Sequence, residues 1–266
     1  MRTLRLTLAF DGTGYAGWQV QKGQPTIQGV LEAKLARMTA AKVKVDGAGR
    51  TDAGVHALGM VASFCTSATI PGEGFCKGLN SLLPSDIRVL EVAEEVPGFH
   101  ARYSAVAKAY EYRLDFGATQ LPTARLYAHH LRQPLDQAAM QVCLQALVGT
   151  HDFASFEATG SRDRSQTGGR GAVRTLFAAG YRESGAGSLR HGLFQFVGDG
   201  FLRHMVRNLV GTLIDVGQGR LTPVGFTKIM QARDRSLAGP MAPARGLFLR
   251  GVYFDQAAVA RACEIR

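Results

Sequence analysis

The hydrophobic pattern alternates between two periods along the whole chain, and this constrains the fold more than any other feature. Near the N-terminus, Leu4, Leu6, Leu8 and Phe10 recur at every second position, as in a half-buried strand. A helical period then begins after Thr26, a residue type that caps helices. Strands and helices interleave in this way to the end, without regular βαβ parallel units. The pattern predicts an α+β fold with sheets covered on one side.

The same rhythm occurs twice, once in each half of the chain. With 266 residues the chain can hold one large domain or two compact ones. We predict an N-terminal half, 1–105, and a C-terminal half, 106–266, with no long linker between them. The further predicted strands are 42–45, 59–66, 86–92, 106–116, 172–182, 192–197 and 247–254, and the predicted helices are 71–83, 136–148, 202–214 and 223–232.

Composition excludes several classes of protein. An apolar fraction of 46% excludes global disorder, and the sequence shows neither a membrane-length apolar run nor the apolar block of a signal peptide. The cysteines stand far apart without a C-x-x-C pair, and the histidines show no metal-ligand spacing. These patterns favour a reducing cytoplasm and indicate no metal site.

Positive charge is concentrated in the second half. The net charge of +10 divides into +2 for residues 1–105 and +8 for residues 106–266. A Gly-rich basic stretch carries Arg162, Arg164 and Arg170, and Arg203 flanks the apolar stripe of the 202–214 helix. Such arginines suit an RNA backbone. A solvated loop, and arginine usage set by a GC-rich genome, explain the same residues equally well.

A G-x-G-x-x-G motif, formed by Gly12, Gly14 and Gly17, follows the first strand. A dinucleotide site requires a helix to begin at the third glycine. Here the helix begins only after Thr26, so we reject a dinucleotide-binding function.

The densest group of chemically active residues lies in the segment 47–57. Small residues surround Arg50, Asp52 and His56 there, so a backbone and a ligand could approach each other closely. Asp52 could act as a nucleophile or base, or it could simply cap a turn while Arg50 forms a salt bridge. On spacing alone, Arg207 suits a bound anion or the edge of a core, and Tyr110 and Leu247 suit the core.

The sequence GRTDAGVHA at 49–57 closely resembles the TruA family of tRNA pseudouridine synthases. The resemblance spans nearly the whole chain, in order. It includes the segments 10–21, 26–32, 80–87, 99–105, 108–112, 149–153 and 204–208.

This resemblance implies two ferredoxin-like halves with joined antiparallel sheets and a central basic cleft. The implied activity is isomerisation of uridine to pseudouridine at nucleotides 38 to 40 of the tRNA anticodon stem-loop. A cytoplasmic homodimer without cofactor or metal is implied as well. The Arg- and Gly-rich segment between Phe156 and Val173 is longer than expected of the family, which leaves the choice of tRNA site open.

The family's site residues transfer to five positions. Asp52 matches the catalytic aspartate, which attacks either C1′ of the ribose or C6 of the base. Arg50 matches the residue that fills the space left by the flipped base. Tyr110 matches the tyrosine that stacks on the uracil, Arg207 the arginine paired with the aspartate, and Leu247 the apolar residue on the other side of the base. The alternatives are a non-catalytic RNA-binding or tRNA-folding module, and a synthase acting on other RNA sites.

Overall fold

The chain forms two compact units, each built from strands and helices. The first unit comprises Met1–Val106 and Phe248–Ala258, and the second comprises Ala107–Leu247 and Val259–Arg266. The computed structural model describes residues 1–160, 169–185 and 190–264.

Strands and helices interleave along the described residues. The strands are β1 (Arg2–Phe10), β2 (Asp46–Gly47), β3 (His56–Thr66), β4 (Ile87–Glu95), β5 (Ala107–Phe116), β6 (His129–Leu131), β7 (Gly149–Asp152), β8 (Val173–Ser184), β9 (Arg190–Gly198) and β10 (Leu247–Tyr253). The helices are α1 (Ile27–Thr39), α2 (Gly72–Leu82), α3 (Gln137–Leu147), α4 (Met205–Gly217), α5 (Pro223–Ala232) and α6 (Gln256–Cys263).

The first unit has the βαββαβ order of a ferredoxin-like fold. Its sheet runs β4–β1–β3, with antiparallel pairing throughout, and β2 also pairs antiparallel with β3. The end of the chain adds β10, which pairs parallel to β3 through Phe248 opposite His56. The loop between β2 and β3, which carries Asp52, therefore leads into a strand with partners on both sides.

Apart from the short strands β6 and β7, the second unit begins with the same succession of elements. Its antiparallel sheet runs β5–β9–β8–β7, and the short β6 pairs parallel with β5. The elements β5, α3, β8, β9 and α4 follow one another as β1, α1, β2, β3 and α2 do in the first unit. Mostly antiparallel sheets mixed with helices confirm the predicted α+β class.

Sequence patterns located most of the long elements. Leu4, Leu6 and Leu8 are fully buried on one face of β1, as their alternation predicts. Thr26 caps α1 by accepting a hydrogen bond from the Gly29 amide, and Asp136 caps α3 in the same way.

Some predicted elements were wrong or missing. Residues 42–45 are not a strand, because the pairing to β3 involves Asp46 and Gly47. The helix predicted from Leu202 begins at Met205, because His204 has a φ of +63°. Arg203 therefore precedes α4, and the prediction that it lies within this helix beside the apolar stripe is wrong. The elements β6, β7 and α6 were not predicted.

None of the helices in the described ranges is both long and apolar enough to cross a membrane.

Candidate active site

Asp52 lies at the centre of the loop that joins β2 to β3. Its side chain is half-buried, whereas that of Arg50 is exposed. The loop is fixed at its start by the Ala48 amide, which donates to the Val61 carbonyl (2.8 Å). Within the loop, the Val55 amide donates to the Asp52 carbonyl (3.2 Å). The Asp52 carboxylate is thus presented from a short, internally bonded turn.

The glycine-rich segment after β1 packs directly against this loop. The Trp18 amide donates to the Thr51 carbonyl (3.1 Å), and the Gly54 amide donates to the Tyr15 carbonyl (3.3 Å). A Cβ on Gly12 would overlap the Val55 carbonyl oxygen, and one on Gly17 would overlap the Thr51 carbonyl oxygen. Gly17 also has a φ of +92°, in the left-handed region that favours glycine. The helix α1 begins at Ile27 and not at Gly17, and Gly12 and Gly17 support the Asp52 loop.

His56 connects the same loop to the last strand of the chain. Its side chain is 1% exposed, and its Nδ1 accepts a hydrogen bond from the Gly12 amide (3.1 Å). The ring stacks on Phe248 of β10, with centroids 4.6 Å apart. His56 is therefore a packed, hydrogen-bonded residue at the end of the loop that holds Asp52.

Tyr15 anchors the glycine-rich segment to the end of the α2–β4 connection. Its hydroxyl donates to Asp86 Oδ1 at 2.8 Å. Burial is the largest cause raising the pKa of Tyr15, and the bond to Asp86 adds to it. The hydroxyl therefore stays protonated as a donor.

In the second unit, Tyr110 lies on the apolar face of β5. It is 8% exposed, and its ring meets that of Phe201 edge to face at 4.9 Å. Two residues further along, the Tyr112 hydroxyl donates to the Pro243 carbonyl (2.8 Å). Burial raises the pKa of Tyr112, while the cations of Arg207 and Arg245 act in the opposite direction.

Arg207 lies in the first turn of α4 and is 9% exposed. Its Nε donates to the Ala242 carbonyl (2.8 Å), and its own carbonyl accepts from the Ala242 amide (3.1 Å). Five residues after Ala242 comes Leu247, which is 5% exposed at the start of β10. One segment thus contacts Arg207 and continues directly to Leu247.

The structure distributes the predicted site residues between the units. Asp52 and Arg50 belong to the first unit, and Tyr110, Arg207 and Leu247 to the second. Among the residues that the structure describes, no group of histidine, cysteine and carboxylate side chains could hold a metal ion.

The basic residues predicted to bind RNA differ in their surroundings. Arg203 is exposed, and its carbonyl accepts a hydrogen bond from the Ala158 amide. Arg170 is exposed and forms an ion pair with Asp199. Arg162 and Arg164 lie outside the described residues.

Sequence reasoning did not assign a supporting role to the glycine-rich segment, to Ala242 or to Asn208. The spacing of Gly12 and Gly17 is a signal of close backbone contact, but it was interpreted only as a possible cofactor motif. Ala242 acts through its backbone, for which no side-chain pattern exists.

Comparisons with known proteins agree on one family. The family model described as tRNA pseudouridine synthase matches residues 7–104 and 143–255. A protein named tRNA pseudouridine synthase A 1, from Desulfotalea psychrophila, is 50% identical over 96% of this chain and 100% of its own length. Proteins named tRNA pseudouridine synthase A from Lacticaseibacillus casei and Moorella thermoacetica are 45% and 46% identical, each over 96% of this chain and 100% of its own length.

Proposed function

This chain belongs to the tRNA pseudouridine synthase family, and from that premise we propose that it isomerises uridine to pseudouridine at nucleotides 38 to 40 of the tRNA anticodon stem-loop. The observation that carries the proposal is the family match over both units. The matched ranges include Asp52, Arg207 and Leu247, whereas Tyr110 lies between them.

Asp52 is the proposed nucleophile. It attacks C1′ of the ribose or C6 of the ring, and the bond between C1′ and N1 breaks. The uracil then turns so that C5 bonds to C1′, and the bond to Asp52 breaks, which regenerates the carboxylate. The C5 proton leaves and N1 gains a proton, so the product is an isomer of the substrate. A half-buried carboxylate on a loop fixed by backbone hydrogen bonds supports this role, because little ordering is needed at the moment of attack.

Four further side chains complete the proposed machinery. Arg50, exposed two residues before Asp52, would occupy the space left by the flipped nucleotide. Tyr110 would stack on the uracil and take the C5 proton, with Leu247 against the other face. Arg207 would pair with the Asp52 carboxylate and keep it ionised. The bond from its Nε to Ala242 supports that role, because it fixes the plane of the guanidinium.

The family resemblance extends the proposal to partners. The substrate is tRNA, gripped by basic residues that include Arg162, Arg164, Arg170 and Arg203, and a tRNA substrate implies a cytoplasmic enzyme. We also infer a homodimer, which a solution molar mass equal to one 28.6 kDa chain would contradict. The chemistry proposed for Asp52 requires no cofactor.

Tritium release from tRNA labelled at uracil C5 tests the catalytic proposal. Asp52→Asn removes the nucleophile while keeping the shape of the side chain. We expect release to fall by at least about 10³-fold, with the dissociation constant for tRNA changed by less than about threefold. Asp46→Asn is the matched control. Asp46 lies six residues before Asp52 and pairs with the exposed Lys44, so this variant should leave release unchanged.

The outcomes separate the alternatives. Substrates that keep a single uridine at position 38, 39 or 40 identify the sites modified, and release only from other positions would indicate a synthase for other RNA sites. Binding without any release from the wild-type protein would contradict the enzymatic proposal and favour an RNA-binding module.

A further inference from the structure

The residues 235–246, which follow α5, pack along the N-terminal turns of α4. This segment, here called the 235–246 segment, contains Ala242, whose carbonyl and amide both bond to Arg207. Because one of these bonds is made by Nε, the position of the segment determines where the Arg207 guanidinium can lie. Contacts that fix the segment therefore also restrict, indirectly, the position of the Arg207 guanidinium.

Arg235 connects the start of the segment to α4. Its Nη2 donates to Asn208 Oδ1 (3.0 Å), and its Nη1 donates to the Ala238 carbonyl (3.1 Å). One guanidinium thus bridges a helix side chain and the backbone of the segment. The planar fork makes both bonds together, which a lysine ammonium cannot reproduce with the same geometry.

Asn208 is the fixed end of this bridge. It follows Arg207 in α4, is 1% exposed, and donates through Nδ2 to the Phe156 carbonyl (2.8 Å). The side-chain amide is held on one side by the backbone of residue 156 and on the other by Arg235. The bond to Phe156 lies outside the 235–246 segment, so it orients the Asn208 amide independently of Arg235.

The middle of the segment is held by a second residue of α4. Thr212 Oγ1 donates to the Asn208 carbonyl (2.8 Å) and accepts from the Gly239 amide (3.0 Å). A Cβ on Gly211 would overlap the Pro240 carbonyl oxygen, so the backbone of the segment lies directly on the helix. Beyond Ala242, the Tyr112 hydroxyl donates to Pro243. The residues on both sides of Ala242 are thus fixed.

We propose that Arg235, bonded to Asn208, is a positioning residue that sets the Arg207 guanidinium for catalysis through the 235–246 segment. This inference rests on the proposed function of Arg207 as partner of the Asp52 carboxylate. Arg235 itself contacts neither substrate nor reacting atoms in this role. A purely structural role would lower stability without altering the turnover of the folded enzyme.

Single-turnover tritium release with Arg235→Ala and Arg235→Lys separates these roles. We expect the maximal rate to fall by about 10- to 100-fold in both variants, because a small displacement of a catalytic group costs that much. The enzyme concentration that gives half of this rate should change by less than about threefold in Arg235→Lys, which keeps the positive charge. The acid limb of the rate profile should move to higher pH, because a displaced Arg207 stabilises the ionised carboxylate less.

A double-mutant cycle tests whether Arg235 and Asn208 act as a unit. Asn208→Ala should slow the reaction as Arg235→Ala does, and the double variant should be no slower than the slower single variant. Arg220→Ala is the matched control, since it removes one arginine whose Nε bonds to Asp215 (2.9 Å) at the other end of α4. Its rate and pH profile should equal those of the wild type.

The results also distinguish the two levels of the proposal. Suppose that Arg207→Lys reacts more slowly than the wild type, whereas folded Arg235→Ala and Arg235→Lys keep the wild-type rate and pH profile. The positioning role is then wrong, and the proposed function stands. If wild-type protein releases no tritium, the proposed function fails and this inference fails with it.

Discussion

At the scale of single residues, Gly12 and Gly14 stand two positions apart under very different steric constraints. A Cβ on Gly12 would overlap the Val55 carbonyl, which lies in the Asp52 loop, whereas one on Gly14 would meet nothing within 4 Å. We expect Gly12→Ala to displace the loop, to slow tritium release by at least about tenfold and to lower the free energy of unfolding by about 1–3 kcal/mol. Release assays and denaturant unfolding measure both effects.

Gly14→Ala is the control for this prediction. It adds the same methyl group to the same segment and should leave both the rate and the free energy of unfolding close to wild type. Equal effects from the two substitutions would show that the Gly12 contact with the loop is not what supports Asp52.

These glycines also show what a sequence reveals at this scale. The small residues around Arg50, Asp52 and His56 made Asp52 a candidate, and only the family resemblance assigned it the catalytic role. The structure places it on a supported loop. The role of Gly12 did not follow, because close approach depends on residues 43 positions away in sequence. Pairs such as Arg207 with Ala242 are equally hidden, since a backbone carbonyl carries no residue-specific signal.

At the scale of elements, α4 reverses an ordinary rule of helix propensity. Replacing a helical glycine by alanine usually stabilises a helix by about 1 kcal/mol. Gly211 is an exception, because its Cβ would overlap the Pro240 carbonyl of the 235–246 segment. We expect Gly211→Ala to lower the free energy of unfolding by at least about 1 kcal/mol and to slow tritium release.

Gly78→Ala in α2 is the matched substitution. There the new Cβ would meet only the end of the Met38 side chain, with Cε at 2.5 Å and Sδ at 3.3 Å, and a flexible side chain can move aside. This variant should be as stable as the wild type or more stable, at an unchanged rate. Denaturant unfolding measures the stability of both variants. If Gly211→Ala gains stability as Gly78→Ala does, the prediction is wrong.

Elements were predictable where one physical signal dominated. Thr222 and Pro223 marked the start of α5, and alternation marked β1. The start of α4 was misplaced because its apolar stripe continues back to Leu202, which is buried although it precedes the helix. The short strands β6 and β7 form by pairing with other strands. Three or four residues are too few to show a hydrophobic period from which such pairing could be predicted.

At the scale of the whole molecule, the net charge of +10 predicts strongly salt-dependent binding to tRNA. The affinity measured by filter binding should fall linearly with ionic strength on logarithmic axes. Arg203→Ala should reduce that slope by about one unit if the exposed guanidinium neutralises one phosphate. Arg220→Ala should leave the slope unchanged. Equal slopes for the wild type, Arg203→Ala and Arg220→Ala would show that Arg203 is not part of the binding surface.

Charge and composition excluded several classes of protein but did not assign a function. The length and the repeated hydrophobic pattern indicated two halves, the charge left an anionic partner as one of several explanations, and the family resemblance added the reaction. The return of residues 248–258 to the first unit could not be read from periodicity, because β10 has the same alternation whichever sheet it joins.

That return has a consequence for synthesis on the ribosome. Phe248 supplies the ring on which His56 stacks, directly after the loop that carries Asp52. A nascent chain that has exposed only its first half has no β10 beside β3, so this side of the sheet stays unpaired during translation. The Asp52 loop therefore gains the stacking contact between His56 and Phe248 only after residue 248 has left the exit tunnel.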